Sequence, residues 1–408
     1  MKAASLLVVM AFVCAAQVQA EAPALVQLRS ELAEAVSARQ IPGATVVIAR
    51  NGKVLADLTT GWADIERQRP LSRDAIFRLY SMSKPITSVA IMMLAEQGKL
   101  KLDDPAETYL PALKGVRVYQ SGGLDDMVTV PAKRPMTIAD LLTHRSGITY
   151  HFAGSTPVHQ YYRRFGVMRD TPVGRMAGDG APAHSLDELV VRIGKAPLLH
   201  QPGETFAYSY STTVLGAVIE RVSGERLDRY LQRTIFDPLG MKDATFHISD
   251  AQLGRFTVLY GPGMEPVEQP ATSDYRDANR LLDGGGAIAG TADDYLRFAQ
   301  MLANGGALHG TRLLSEQGVD ALFAPRGTMQ AMGAQTMRFG YGFSLGDTQS
   351  EAAGIQPAGT TSWSGSGNTY FFVDRRRKAV ALLMTHVLGS AGTVRASVNR
   401  AATALIRD

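Results

Sequence analysis

The sequence predicts a mixed α/β fold of the α+β kind, with one antiparallel sheet flanked by terminal helices and a mainly helical lobe inserted in the middle. Three observations carry this reading. Strand-like pairs stand near both ends of the 408-residue chain, helical periodicity lies outside each pair, and capped helical segments dominate the stretch between.

Taken in order, the chain opens with Met1-Lys2, a largely apolar run from Ala3 to Ala16, and Val18-Gln19-Ala20, which has the form of a secretory leader cut after Ala20. That run is shorter than the roughly 20 apolar residues a bilayer crossing needs, and no later stretch is long and apolar enough. Residues 1–20 are therefore expected to be a signal peptide, and residues 21–408 one catalytic domain without a transmembrane segment. An α/β lobe of about 21–80 and 340–408 and a helical lobe of about 81–339 are expected within it. Cys14, the one cysteine, falls in the leader. The mature chain would then carry no disulfide and no thiolate metal ligand, which fits a periplasmic or secreted bacterial protein with a large core.

Leu25, Leu28, Leu32 and Val36 recur at helical spacing. Residues 44–49 and 53–58 form two β-rich runs joined by Asn51-Gly52, a dipeptide that tolerates positive φ in a tight hairpin. Helical segments follow at 85–97, 138–143, 185–193, 212–222 and 291–302, several stopped by glycine and the last opened by a Thr291-x-x-Asp294 cap. Residues 369–373 and 379–384 read as a second strand pair, and Val394, Val398, Ala401 and Leu405 as a closing helix. The run Arg375-Arg376-Arg377-Lys378 lies between the last two strands and reads as a solvated hairpin turn. The net charge is only +4, so no nucleic-acid partner is expected.

Chemistry concentrates first in Ser81-Met82-Ser83-Lys84-Pro85, the one S-x-x-K of the chain. Pro85 in a first helical turn puts Ser81 at a helix N-terminus, whose partial positive charge favours a developing anion. At a spacing of three, Lys84 shares a face with Ser81, as a nucleophile and its activating amine require. Taken alone, the pattern also fits a solvent-exposed Ser and Lys at a helix start.

Tyr208, in Pro202 to Ser211, sits on a loop before an apolar helix; beside an amine its hydroxyl is a usable proton acceptor, and a packed aromatic is the alternative. Thr360 to Gly367 is rich in small residues, and an exposed edge strand there would lend an N–H to an oxyanion; a plain flexible turn is the alternative. Gly342-Phe343-Ser344-Leu345-Gly346 matches a nucleophile elbow with Asp374 and His386 downstream. Residues 347–350 read as a polar turn instead of the helix an elbow needs, so Ser344 is assigned to a strand. His144 and His151 lack metal spacing, His144 is given a structural hydrogen-bonding role, and no metal or cofactor is expected.

With these segments quoted, the chain resembles serine β-lactamases of the class C type and the related D,D-peptidases and family VIII carboxylesterases. That family shares S-x-x-K, Y-x-N or Y-S-x, and K-T-G or W-x-G. The likeness spans nearly the whole mature chain and includes Asp140 to Ile148, Ile235 to Met241, Gly284 to Ala287 and Asp294 to Phe298. It implies a β-lactamase/transpeptidase-like fold, acylation of Ser81, general-base duty shared by Lys84 and Tyr208, and an oxyanion hole made by the backbone N–H groups of Ser81 and Ser366. Two departures bear on substrate. Tyr210 stands where the lactamases have Asn, and Trp363 where they have the Lys that binds a lactam carboxylate.

An indole cannot replace that charge. The W-x-G form resembles the esterase branch, so an uncharged small-molecule ester is expected to bind near Trp363 and Gly365. Alternatives are hydrolysis of β-lactams or cell-wall peptides, and a penicillin sensor that does not turn over. Tyr150 and Phe152, with Tyr161, Tyr162 and Phe165 in a loop-rich insertion at 151–200, are expected to line or cover an acyl pocket; surface packing of the insertion is the other reading.

Overall fold

The computed structural model describes residues 22–171, 175–330 and 336–407. The leader and Cys14 lie outside the described residues. Nine strands form the main sheet: β1 Gly43–Arg50, β2 Lys53–Asp64, β3 Arg69–Pro70, β4 Gly327–Gln330, β5 Thr336–Phe339, β6 Ser344–Leu345, β7 Thr361–Ser364, β8 Tyr370–Asp374 and β9 Ala379–Met384. Their spatial order is β4-β5-β6-β7-β8-β9-β1-β2-β3, antiparallel throughout. The expected hairpins both form. Asn51 and Gly52 turn the first with φ of 51° and 76°, and β1 pairs with β9, Val47 opposite Leu382, so the two chain ends share one sheet.

Six helices frame the sheet and the site: α1 Pro23–Ser37, α2 Ser83–Glu96, α3 Ile138–Leu142, α4 Ser211–Ser223, α5 Ala292–Ala303 and α6 Val394–Ile406. The central strands are apolar on both faces, and alternation sorts them. Val46, Ile48, Phe372 and Leu383 pack with Leu28 and Leu32 of α1 and Val398 of α6. Val47, Phe371, Val373 and Leu382 face the other way, into a core shared with α2, α4 and α5. There Tyr295 of α5 meets Phe371 edge-on at 4.9 Å.

The structure departs from the sequence reading in three places. The sheet begins at Gly327, earlier than 340, because β4 and β5 extend it, and α5 lies on the sheet as its second cover instead of within the helical lobe. Within 151–200 the described residues include a helix at Pro157–Arg164 that the sequence reading did not contain, while the helix expected at 185–193 forms as Leu186–Lys195, capped by Ser185. Residues 348–352 are helical, not a turn, because Asp347 and Ser350 form a reciprocal cap. The basic run is indeed a turn, with Arg377 on Asp374 and Arg375 on Asp320. Among the described residues no helix is long and apolar enough to cross a membrane.

Two outcomes follow for stability. Phe372→Ala, which hollows the layer under α1 and α6, should cost about 3–5 kcal/mol in urea unfolding. His386 is buried, with Nε2 3.1 Å from the Trp62 carbonyl, and burial foremost pushes its pKa from 6.5 down to about 3. The unfolded chain binds a proton there that the folded one refuses, so this contribution is complete above pH 6.5 and is lost as pH falls towards 3. His386→Gln should therefore flatten the acid side of the stability curve. An unchanged slope of unfolding free energy against pH would contradict this.

Candidate active site

The segment before Ser81 is clamped from two sides. Residues 77–78 pair with 289–290, the Leu79 N–H donates to the Ile288 carbonyl at 3.0 Å, and Tyr80 takes a left-handed φ of 47°. A single 3₁₀ turn, Tyr80–Met82, then runs straight into α2, so Ser81 lies one step ahead of the helix proper. Lys84, 1% exposed, donates from Nζ to Ser81 Oγ at 3.1 Å and to the Gly285 carbonyl at 2.6 Å. From the far side the Tyr208 hydroxyl donates to Ser81 Oγ at 2.7 Å. Lys84 Nζ stands 4.7 Å from the Tyr208 ring centre. Hydroxyl, amine and phenol thus meet at one point, although 127 residues separate Ser81 from Tyr208.

Tyr208 is held by rings: His144 at 4.8 Å, Tyr150 at 5.2 Å and Trp363 at 5.8 Å. His144 is fully buried and bonds Ser209 Oγ through Nδ1 at 3.1 Å. Burial, and then the Lys84 charge, hold its pKa well below the usual range. A neutral imidazole packed beside the phenol is what the structural role assigned from sequence requires. Tyr210 is buried too, its hydroxyl 2.8 Å from His151 Nδ1.

The third wall is β7. It is an interior strand, not the exposed edge expected, yet its neighbour β6 is two residues long and pairs only with Thr361 and Ser362, leaving Trp363 and Ser364 open on that side. Gly365 brings this strand against the nucleophile turn. A Cβ there would lie 2.3 Å from the Leu79 carbonyl oxygen and 2.4 Å from Thr369 Oγ1, contacts no side chain can make. Ser366 follows in the turn that Gly365 N–H closes on the Thr369 carbonyl at 2.8 Å.

Ser81, Tyr208, Trp363, Gly365 and Ser366 border a cavity of about 500 Å³. Its apolar wall comes from Phe206, Met329, Met337 and Ile355, none singled out from sequence, because an isolated apolar residue reads as ordinary core. Gln356 and Ser362 give a polar wall, and among the described residues Arg395 is the one charged side chain lining it. Of the aromatics expected at an acyl pocket, Tyr150 stacks on Phe152 at 4.7 Å beside Tyr208, and Phe152 is 46% exposed. Tyr162 is core, while Tyr161 and Phe165 meet at a tilt, ring centres 4.4 Å apart.

The elbow-like Ser344 sits in β6 with Oγ bonded to Gln356 and Ser362; Asp374 pairs with Arg377 and His386 with Trp62. These three do not form a triad. A second cavity, about 360 Å³, lies beside Glu268 and Asp274, and these two carboxylates already pair with Arg78 and Arg280. Among the described residues no cluster of His, Cys, Asp and Glu could hold a metal.

Known proteins share this architecture. Esterase EstB of Burkholderia gladioli is 33% identical over 381 residues, 86% of this chain and 88% of its own. Protein Rv1367c of Mycobacterium tuberculosis is 31% identical over 372 residues, 87% of this chain and 88% of the relative. The solved structure of EstCE1, titled a hydrolase with promiscuous acyltransferase activity, matches with a TM-score of 0.77 at 26% identity, covering 93% of this chain and 98% of that one. The Beta-lactamase family model matches residues 28–405, and the chain belongs to that family.

Proposed function

We propose that this protein is a serine carboxylesterase of the family VIII type, which cleaves esters through an acyl-enzyme on Ser81. The observation that carries the reading is the convergence of Lys84 Nζ and Tyr208 OH on one oxygen, Ser81 Oγ, at 3.1 and 2.7 Å. In the first half-reaction the Lys84/Tyr208 pair, entering with one of its two groups deprotonated, takes the Ser81 proton as Oγ attacks the ester carbonyl. The backbone N–H groups of Ser81 and Ser366 receive the oxyanion, and the same pair returns the proton to the departing alkoxide, freeing the alcohol. Water, deprotonated by the pair, then attacks the acyl-enzyme; Ser81 leaves reprotonated and the acid is released.

The esterase EstB and the hydrolase EstCE1 support ester cleavage. So does the mostly apolar cavity wall, which suits an acyl chain. Export through the leader would put the reaction in a periplasm or outside the cell.

One observation favours a second reading. Arg395 lines the cavity, 4.7 Å over the Tyr370 ring, and among the described residues no Asp or Glu lines it. A cation so placed complements a carboxylate-bearing substrate, β-lactams included, despite Trp363 at the lactamase Lys position.

Ser81→Ala should abolish hydrolysis of a short-chain nitrophenyl ester. Lys84→Ala and Tyr208→Phe should each lower kcat by about 10²- to 10⁴-fold; parental turnover in either would remove that residue from the base. For the second reading, kcat/KM is compared between nitrophenyl butyrate and a nitrophenyl ester whose acyl chain ends in a carboxylate. If Arg395 receives the anion, Arg395→Gln lowers only the charged ester's value, by roughly tenfold or more, and equal effects on the two esters argue for the neutral-substrate reading.

A further inference from the structure

Lys84 Nζ makes its shortest hydrogen bond, 2.6 Å, to the Gly285 carbonyl, so whatever fixes that peptide also fixes the amine. Gly284-Gly285-Gly286 threads between two helices with no spare room. A Cβ on Gly284 would meet Thr87 Oγ1 of α2 at 2.9 Å, and one on Gly285 would meet Asp283 Oδ1 at 3.0 Å and Thr213 Oγ1 of α4 at 3.1 Å. Asp283 grips the loop from within. Its Oδ1 accepts from the Gly285 N–H at 2.7 Å and from Thr213 Oγ1 at 2.6 Å, and its backbone carbonyl accepts from the Gly286 N–H at 3.0 Å. That last N–H belongs to the same peptide as the carbonyl that Lys84 uses.

Arg169 completes the grip. Its Nε lies 3.2 Å from Asp283 Oδ2 and its Nη2 donates to the Gly286 carbonyl at 3.4 Å. Both partners are nearly buried, Arg169 8% and Asp283 3% exposed. A buried ion pair is a poor way to gain stability and a good way to hold one arrangement against others.

We propose that the Arg169–Asp283 pair is the positioning unit of the catalytic amine: it locks the Gly285 carbonyl where it holds Lys84 against Ser81. The 151–200 insertion, which supplies Arg169, is thereby part of the machinery instead of a cover over it. This rests on the reading that Lys84 activates Ser81.

The test uses the full chain carrying Asp283→Asn, Arg169→Lys, Arg169→Gln or Gly285→Ala. It measures kcat and KM on nitrophenyl butyrate, the rate of Ser81 labelling by a fluorophosphonate, and the melting temperature. Asp283→Asn should lower kcat and the labelling rate together, roughly 10- to 100-fold, with KM within about twofold. Arg169→Lys, which keeps a cation on Asp283, should retain more of both than Arg169→Gln. Gly285→Ala, which keeps both charges but crowds Asp283 Oδ1 at 3.0 Å and Thr213 Oγ1 at 3.1 Å and so displaces the loop, should reproduce the loss and decides the matter if Asp283→Asn does not fold. Variants that melt earlier yet keep the parental kcat and labelling rate would overturn the proposal, since a purely structural pair behaves that way. Lys84→Ala, run alongside, separates the two claims. Full labelling there defeats the role of the amine itself, whereas a dead Lys84→Ala beside an unaffected Asp283→Asn defeats only the positioning.

Discussion

The contact between Gly365 and the Leu79 carbonyl is the constraint on which the site depends. Leu79 leads into the Ser81 turn and Gly365 directly follows β7, so their approach sets the spacing between Ser81 and the backbone that faces it. Any Cβ at 365 would fall 2.3 Å from that oxygen and push the strand away. The sheet order then carries consequences outward. β7 is held by β8, β8 by β9, and β9 by β1, so the position of Ser366 relative to Ser81 is referred back to the pairing of the two chain ends.

Charge at the seam is handled by pairing in the supporting layer and by exposure to the cavity in the reacting layer. Arg78 reaches Glu268 at 2.8 Å and lies 3.9 Å over the Phe256 ring, and Arg169 holds Asp283. Neither Lys84 nor Arg395 forms an ion pair among the described residues. Lys84 is satisfied by a carbonyl and a hydroxyl, and Arg395 packs on an aromatic face, so neither is tied to a carboxylate. His144, whose pKa burial and then the Lys84 charge hold well below the usual range, adds no further charge beside the phenol.

Particular residues show where sequence reasoning reached and where it stopped. Asn51-Gly52, the Thr291-Asp294 cap and Gly224 are local signals, and each marks the element boundary it predicted. Ser344 had the right neighbours in sequence for an elbow and the wrong ones in space: its hydroxyl is bonded into the wall of β6 and β7. The stretch 151–200 looked loop-rich because its helices are short and separated by Gly and Pro, yet Val158, Tyr162 and Leu189 are buried in the main core. The Gly285 carbonyl could not have been found, since a backbone acceptor carries no side-chain signature.

The amino-acid sequence alone determined which residues are chemically able to react and which local segments they open or close, because caps, turns and a three-residue helical spacing are short-range properties. It also determined the family, through motifs spread along the mature chain. Only the tertiary structure decided that Tyr208 meets Ser81, that β7 is an interior strand with an open end, and that Phe206, Met329, Met337 and Arg395 share a cavity with them. Those facts depend on how a nine-stranded sheet and a helical lobe close on each other, and long-range packing sets that closure through surfaces no local pattern records.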